Sequence, residues 1–295
     1  MNSFLADVGA TRATLERHGL YTKHRLGQNF LVSDAVVGKI VDLAELDGDD
    51  TVLEVGPGIG TLSVALLARA VHLVAVEADR TLAPVLSETC GEAGERFELV
   101  WGDALALVPD GLPDAAAVNK FVANLPYQVA ATIILQAFQT LPALERAVVM
   151  VQREVADRIA AHPSTKTYGG YTAKLALFGQ VTGRFEVGHG CFFPPPRVES
   201  AVVRIERAPM EGAGGQPLDT VSLEGVARVI DAAFAQRRKT IRNSMTASGY
   251  GREELDAAFV ATGIAPACRA ETLAPRDFVR LWEALGPHER VDTVA

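Results

Sequence analysis

Five short, unbroken apolar runs punctuate the first half of the chain: TVLEV (51–55), VHLVAV (71–76), FELVW (97–101), VNKFVA (118–123) and AVVMV (147–151). They are rich in β-branched residues and do not alternate with polar positions, as expected of strands buried on both faces. AVVRIER (201–207) reads as one more strand. Between the runs lie segments of helical period, such as TLSVALLAR (61–69) and TLAPVLSETC (81–90). Repeated strand–helix–strand order predicts a parallel sheet with right-handed crossovers and helices on both faces. The stretch APMEGAGGQPLD (208–219) is rich in Gly and Pro and reads as a linker. Beyond it the pattern is helical to about residue 286. Val226, Ile230, Ala233, Phe234 and Ile241 form one apolar stripe, and Ser248-Gly249-Tyr250-Gly251 breaks that helix. The expected organisation is an α/β domain over 1–207 that includes an N-terminal extension (1–21), a linker (208–219), a small all-helical domain (220–286) and a tail (287–295).

Composition narrows this picture. A chain of 295 residues, 48% hydrophobic and 22% charged, is long enough for one good core and a smaller second unit. Its three cysteines, Cys90, Cys191 and Cys268, are far apart and odd in number, which argues for a reducing compartment and against a disulfide framework. Without a C-x-x-C or a His pair at ligand spacing, no metal site is expected. No apolar stretch reaches membrane length and the N-terminus has no signal core, so a cytoplasmic chain with no membrane partner is expected. The net charge of −8 excludes a uniformly basic protein coating nucleic acid. The charge is segregated, however: residues 42–54 hold six acids and no Lys or Arg, whereas 237–242 hold four bases and no acid.

The most informative segment is Glu54-Val55-Gly56-Pro57-Gly58-Ile59-Gly60, directly after one strand and before a helix. Its glycines permit a tight turn and close approach of a ligand, and the helix starting near Thr61 presents free N–H groups to an anion. The next strand ends at Glu77, whose carboxylate can accept both vicinal hydroxyls of a ribose. The strand after that leads into Gly102-Asp103, a second acid on the same sheet edge that can take the exocyclic amine of an adenine. Two nucleoside readings compete. A dinucleotide fingerprint requires glycine at 61, where the chain has Thr; the G-x-G-x-G spacing led by Glu54 resembles the Rossmann-like methyltransferases that use S-adenosylmethionine.

The fourth strand runs into Asn124-Leu125-Pro126-Tyr127, at the edge where open α/β sheets place their chemistry. A nucleobase amine is a poor nucleophile because its lone pair is delocalised into the ring. If its N–H groups donate to the Asn124 side-chain oxygen and to the carbonyl of Leu125 or Pro126, the nitrogen is drawn towards tetrahedral geometry and its lone pair is freed. Pro126 stiffens the loop and Tyr127 offers a stacking face. Catalysis is then mostly alignment, with no strong base.

These residues belong to a larger pattern. Lys23-His24-Arg25-Leu26-Gly27-Gln28-Asn29-Phe30-Leu31, Asn124–Tyr127, Phe192-Phe193-Pro194-Pro195-Pro196-Arg197-Val198-Glu199-Ser200 and Gln236-Arg237-Arg238-Lys239-Thr240-Ile241-Arg242-Asn243 together resemble the motifs of the ribosomal RNA adenine dimethylases. The match to the small-subunit (16S) type runs from about residue 22 to about 282, in order. The resemblance implies a Rossmann-like S-adenosylmethionine-dependent sheet with a helical C-terminal domain, acting as a monomer on 16S rRNA in the small ribosomal subunit. It implies N6-dimethylation of two adjacent adenosines in the 3′-terminal hairpin loop, late in subunit assembly. Gln28, Asn29, Leu31, Glu54, Gly56, Gly58, Gly60, Glu77, Asp103, Ala104 and Asn124 are the expected cofactor residues. Asn124, Leu125, Pro126, Tyr127 and Phe192 are the expected catalytic set, with Tyr127 and Phe192 sandwiching the target adenine. Two departures stand out: residues 270–273 read AETL where the family pattern is closer to P-E-x-L, and the first twenty residues match no known motif.

Lys23, Arg25, Arg197, Arg238, Lys239 and Arg242 are the expected RNA contacts. On an ideal helix, Arg237 falls near the apolar stripe and is the base expected to be partly buried. Tyr168 either shapes a substrate loop or closes a turn. The competing readings are a 23S rRNA dimethylase of the macrolide-resistance type and a non-catalytic assembly factor on the same fold. The F-F-P-P-P segment and the Q-R-R-K-T segment favour the small-subunit type, and intact Asn124, Tyr127, Glu77 and Asp103 speak against lost catalysis.

Overall fold

The computed structural model describes residues 1–22, 28–70 and 72–286, and the contacts divide the chain into two units: Met1–Ala156 with Val181–Arg207, and Asp157–Gln180 with the chain from Ala208 on. The boundary expected at 207 therefore misses residues 157–180, whose contacts are with the helical unit.

The first unit contains, in chain order, α1 (Val8–Arg17), β1 (Phe30–Leu31), α2 (Asp34–Ala44), β2 (Thr51–Val55), α3 (Thr61–Leu67), β3 (His72–Glu77), α4 (Ala83–Cys90), β4 (Phe97–Trp101), α5 (Ala104–Asp110), β5 (Lys120–Asn124), α6 (Ala130–Thr140) and β6 (Arg146–Gln152). The chain passes through α7 (Arg153–Ile159), which straddles the boundary, and returns through β7 (Gly179–Val187), β8 (Phe192–Phe193) and β9 (Ser200–Arg207). Seven strands form one sheet in the order β4-β3-β2-β5-β6-β9-β7. The strands from β2 to β6 pair in parallel, and their apolar side chains are almost completely buried, Val52, Leu53, Leu73, Val74 and Val148 at 0% exposure.

The sheet is mixed, not purely parallel: β9 runs antiparallel to β6, from Arg146↔Glu206 to Gln152↔Ser200. The edge strand β7 was not expected. Val181, Gly183, Phe185 and Val187 alternate with exposed Gln180, Thr182, Arg184 and Glu186, the pattern of a half-solvated edge, so no continuous apolar run marks it.

A separate ribbon joins two distant motifs. β1 pairs antiparallel with β8, Phe30 opposite Phe193 and Leu31 opposite Phe192. The N-terminal extension is folded against this unit. The Asn2 and Ser3 N–H groups donate to Asp34 Oδ1 at 2.7 and 2.9 Å and hold that carboxyl below its ordinary range. Leu5 and Leu15 enter the core, and Arg17 and His18 both meet Glu88 at 2.6 Å.

The second unit consists of α8 (Gly170–Leu175), α9 (Thr220–Phe234), α10 (Ile241–Ala247), α11 (Arg252–Thr262) and α12 (Pro275–Leu285). The apolar stripe through Ile241 does not belong to one helix. α9 ends at Phe234, residues 235–240 form a turn, and Thr240 caps a new helix by accepting the Asn243 N–H. Buried Ser244 closes the corner, donating to Ala232 O at 2.8 Å and accepting the Gln236 N–H at 3.0 Å. Gln236, Arg237, Arg238 and Lys239 are thereby left exposed, so the three charged side chains among them are not buried.

Tyr168 closes a turn: it is 1% exposed, donates to Leu273 O at 2.9 Å and packs edge-on to Phe234, which in turn packs on Phe278. The expected linker is itself tied down, with a bridge between Glu211 and Pro217 and the Ala213 N–H donating to Glu283 at 2.8 Å. The AETL segment forms a short 3-10 turn whose Glu271 carbonyl accepts the Ser164 N–H at 2.7 Å. No described helix is long and apolar enough to cross a membrane.

Candidate active site

At the carboxyl edge of β2, β3 and β5 lies a cavity of about 360 Å³. The loops at its rim are stapled to the sheet by backbone hydrogen bonds that continue the ladders. Gly56 N–H donates to Val76 O at 2.9 Å, Gly102 N–H to Glu77 O at 3.0 Å and Leu125 N–H to Met150 O at 3.0 Å. The cavity collects Gln28, Asn29, Leu31, Glu54, Gly56, Gly58, Glu77, Asp103, Ala104 and the whole Asn124–Tyr127 loop. Residues separated by a hundred positions in the chain thus line one cavity.

Two glycines are there for conformation. Gly58 has φ 62° and faces the Phe30 ring, which a Cβ would meet at 3.1 Å. Gly60 has φ 90°, and a Cβ there would come within 2.7 Å of Thr89 Oγ1. Gly60, expected among the cofactor residues, is not part of the cavity wall; it turns the chain into α3.

Glu77 is 8% exposed and both its oxygens are held. Gly58 N–H donates to Oε2 at 3.3 Å and Asp79 N–H to Oε1 at 2.8 Å. Burial raises its carboxyl above the ordinary value and these N–H groups pull it back. Glu54 is buried more deeply, 1% exposed, and among the described residues accepts only Ser63 Oγ, at 2.6 Å. Burial pushes its carboxyl up to about 8, with Glu77 adding to the effect. Asp103 caps α5 by accepting the Leu105 N–H at 2.9 Å through Oδ1, so Oδ2 is not used by the cap.

On the opposite wall, Asn124 Nδ2 donates to the Asn29 carbonyl at 3.4 Å, so the side-chain oxygen is the acceptor that remains. Tyr127 is anchored by its hydroxyl, 2.7 Å from Ser200 Oγ, and burial raises its pKa. Ser200 is 1% exposed and was not among the expected site residues, although it ends the very motif that contains Phe192. Asp79 was missed as well, for lack of any motif around it.

The structure does not bring Phe192, expected to sandwich the target adenine with Tyr127, to the cavity wall. Phe192 is 3% exposed and belongs to the hydrophobic core. Its strand pairing with Leu31 turns the side chain inward, and Arg12 lies over its neighbour Phe193 at 5.4 Å. Among the RNA candidates, Lys23 and Arg25 lie outside the described residues. Arg197 is exposed, in the first unit. Arg238 and Lys239 are exposed on the 235–240 turn of the second unit and make no ion pair among the described residues. Arg242 lies 2.8 Å from Asp256, an ion pair in distance though not aligned as a hydrogen bond. Arg237 is exposed but not idle: it donates to Lys166 O at 2.6 Å and lies 3.4 Å from Glu271. Away from the cavity, His72, Glu98 and Asp114 place one ligand-type atom each within 4.8 Å of one another.

A family of known proteins, ribosomal RNA adenine dimethylase, matches residues 19–286. The chain belongs to this family. It is accordingly an rRNA adenine dimethyltransferase, built on the Rossmann-like sheet of such enzymes. Among its relatives, the ribosomal RNA small subunit methyltransferase A of Nocardia farcinica is 43% identical over 92% of this chain and 92% of its own length. That of Thermobifida fusca is 40% identical over 94% of both. Among solved structures, the 23S rRNA methyltransferase ErmE superimposes with a TM-score of 0.64 at 27% identity, covering 87% of this chain and 99% of its own. A dimethyladenosine transferase from Plasmodium falciparum shares the fold, with a TM-score of 0.71 over 85% of this chain and 95% of its own at 22% identity. Residues 1–18 lie outside the family match.

Proposed function

We propose that this chain transfers methyl groups from S-adenosylmethionine to N6 of two adjacent adenosines in the 3′-terminal hairpin loop of 16S rRNA, late in small-subunit assembly, as a cytoplasmic monomer. The observation that carries the reading is the oriented Asn124 amide, its Nδ2 tied to Asn29 and its oxygen left as an acceptor in the cavity wall opposite Glu77. Relatives at 40–43% identity named for the small subunit, against 27% for the 23S enzyme, favour the 16S substrate.

The donor set fits the cofactor. Glu77 keeps lone pairs for two ribose hydroxyls after accepting Gly58 and Asp79 N–H groups, and Asp103 keeps one oxygen for an adenine amine. When bound, S-adenosylmethionine supplies an electrophilic sulfonium methyl. The chain's own part is orientation. Asn124 Oδ1 and the Leu125 or Pro126 carbonyl accept the N–H groups of the target amine, Tyr127 stacks on its ring, and solvent takes the released proton. Arg197, Arg238 and Lys239 are the candidates for rRNA phosphates. Arg242, paired with Asp256, is a weaker one.

The test is methyl transfer from labelled S-adenosylmethionine to purified small subunits and, separately, to large-subunit rRNA. Dimethyladenosine in 16S rRNA alone supports the proposal. Label in 23S rRNA overturns the substrate, and tight subunit binding without label favours a non-catalytic assembly factor.

A further inference from the structure

We propose that Asp79 is a positioning residue for the methyl-donor site: its carboxylate holds Gln28 in the cavity wall while its backbone N–H fixes the rotamer of Glu77. The inference rests on the reading of the cavity as an S-adenosylmethionine site.

Asp79 lies two residues beyond Glu77, the last residue of β3, and is 6% exposed. It does not itself line the cavity, so it touches no substrate directly. Its Oδ1 accepts the Thr81 N–H at 3.1 Å and Thr81 Oγ1 at 2.7 Å, which folds the chain into a local turn. That turn aims the Asp79 N–H at Glu77 Oε1, 2.8 Å away. Its Oδ2 accepts Gln28 Nε2 at 3.0 Å, across 51 positions of sequence. One buried side chain therefore ties the end of β3 to the segment that leads into β1.

The cost of the arrangement points to a purpose. A second buried carboxylate beside Glu77 is unfavourable unless it is well hydrogen-bonded. Apolar packing would stabilise the turn as well, but it would orient neither Gln28 nor the Glu77 oxygens. A Glu77 free to rotate loses the geometry for two adjacent hydroxyls, and a Gln28 without the Asp79 carboxylate loses the acceptor that orients its amide.

The experiment measures equilibrium binding of S-adenosylmethionine, and initial rates on small subunits over a range of cofactor concentrations up to saturation, for Asp79→Ala, Asp79→Asn, Gln28→Ala and the Asp79→Ala/Gln28→Ala double variant. Asp79→Ala is expected to weaken binding about tenfold and to raise KM in step, with kcat nearly unchanged. The double variant is expected to bind about as well as Asp79→Ala alone, because the two residues act as a single unit. Asp79→Asn is expected to keep most of the affinity: its oxygen still accepts from Thr81, and the Gln28 amide can turn to accept from its nitrogen. Wild-type affinity in Asp79→Ala, or losses that simply add in the double variant, overturns the inference. If Asp79→Ala does not fold, the comparison of Asp79→Asn with Gln28→Ala decides: an Asn variant weaker than Gln28→Ala sinks the proposal. Failure of the unaltered protein to bind S-adenosylmethionine would instead overturn the cofactor reading.

Discussion

Around the cavity of the first unit, polar side chains are held by neighbours: Glu77 by Gly58 and Asp79, Asn124 by Asn29, Tyr127 by Ser200. On the 235–240 turn of the second unit, Arg238 and Lys239 stand in solvent and make no ion pair among the described residues. The cavity is pre-organised, so binding and chemistry there require little rearrangement, and moving a single atom out of place costs much. Arg237 on that turn is held by Lys166 O and Glu271, but Arg238 and Lys239 offer charge without such partners among the described residues. Contacts of such exposed cations with phosphate would be screened, individually weak and additive. The difference predicts that substitutions in the two regions will differ in kind as well as in size.

The largest effect is expected at Asn124. Asn124→Ala removes the acceptor for the target amine and should lower kcat about 10²-fold or more, while subunit binding, measured by filter retention, stays in place. Near-normal transfer would mean that the amine is not oriented in this way.

Glu54 sharpens the same side of the comparison through pH. Its carboxyl titrates near 8 when folded, against an ordinary value of 4.5. Between those values the folded state holds a proton that the unfolded state has released, so this group's contribution falls as pH rises from 4.5 to about 8 and is constant above. Glu54→Gln cannot ionise and keeps an acceptor for Ser63. It should therefore be more stable than the parent at alkaline pH, by roughly 2–4 kcal/mol, with the two converging in acid. Urea unfolding across the pH range measures the gap, and a pH-independent gap would refute it.

Gly60→Ala should cost about 2 kcal/mol in unfolding free energy. The added Cβ must adopt φ 90° and meets Thr89 Oγ1 at 2.7 Å. Because Gly60 is not in the cavity wall, the cofactor affinity of the folded fraction should be unchanged.

The cavity side was also the more legible in sequence. Strands buried on both faces announce themselves as unbroken apolar runs, and acids at their ends, Glu77 and Asp103, fall on one edge by topology alone. What escaped was whatever depended on local direction. β7 alternates like a solvated edge and carries no apolar run. Phe192 sits in a recognisable motif, yet the pairing of β8 with β1 turns its ring into the core. The stripe from Val226 to Ile241 keeps helical spacing across a turn, because Ser244 folds α10 back and restores the apolar face on a second helix. Ser200 and Asp79 act by holding other side chains, and spacing alone cannot show which neighbour a hydroxyl or carboxylate will meet.

The smallest effects belong to the basic turn, and there the prediction is a contrast between neighbours. Replacing Arg238 and Lys239 by Ala should reduce the slope of log affinity against log salt by roughly 0.7–0.9 for each phosphate that is no longer neutralised, with little change in stability. Arg242→Ala should leave that slope nearly unchanged and cost less than about 1 kcal/mol in stability, because its guanidinium already faces Asp256 at 2.8 Å and is 30% exposed. Subunit binding titrated at several salt concentrations separates the two cases. An Arg242→Ala variant that lowers the slope as much as Arg238→Ala would show that the Asp256 pair opens on RNA, and the division between engaged and free charge would fail at this turn. A chain of net charge −8 gains little from RNA at long range. If Arg238 and Lys239 carry part of the electrostatic recognition, removing them should weaken binding to isolated rRNA and to whole subunits by similar factors.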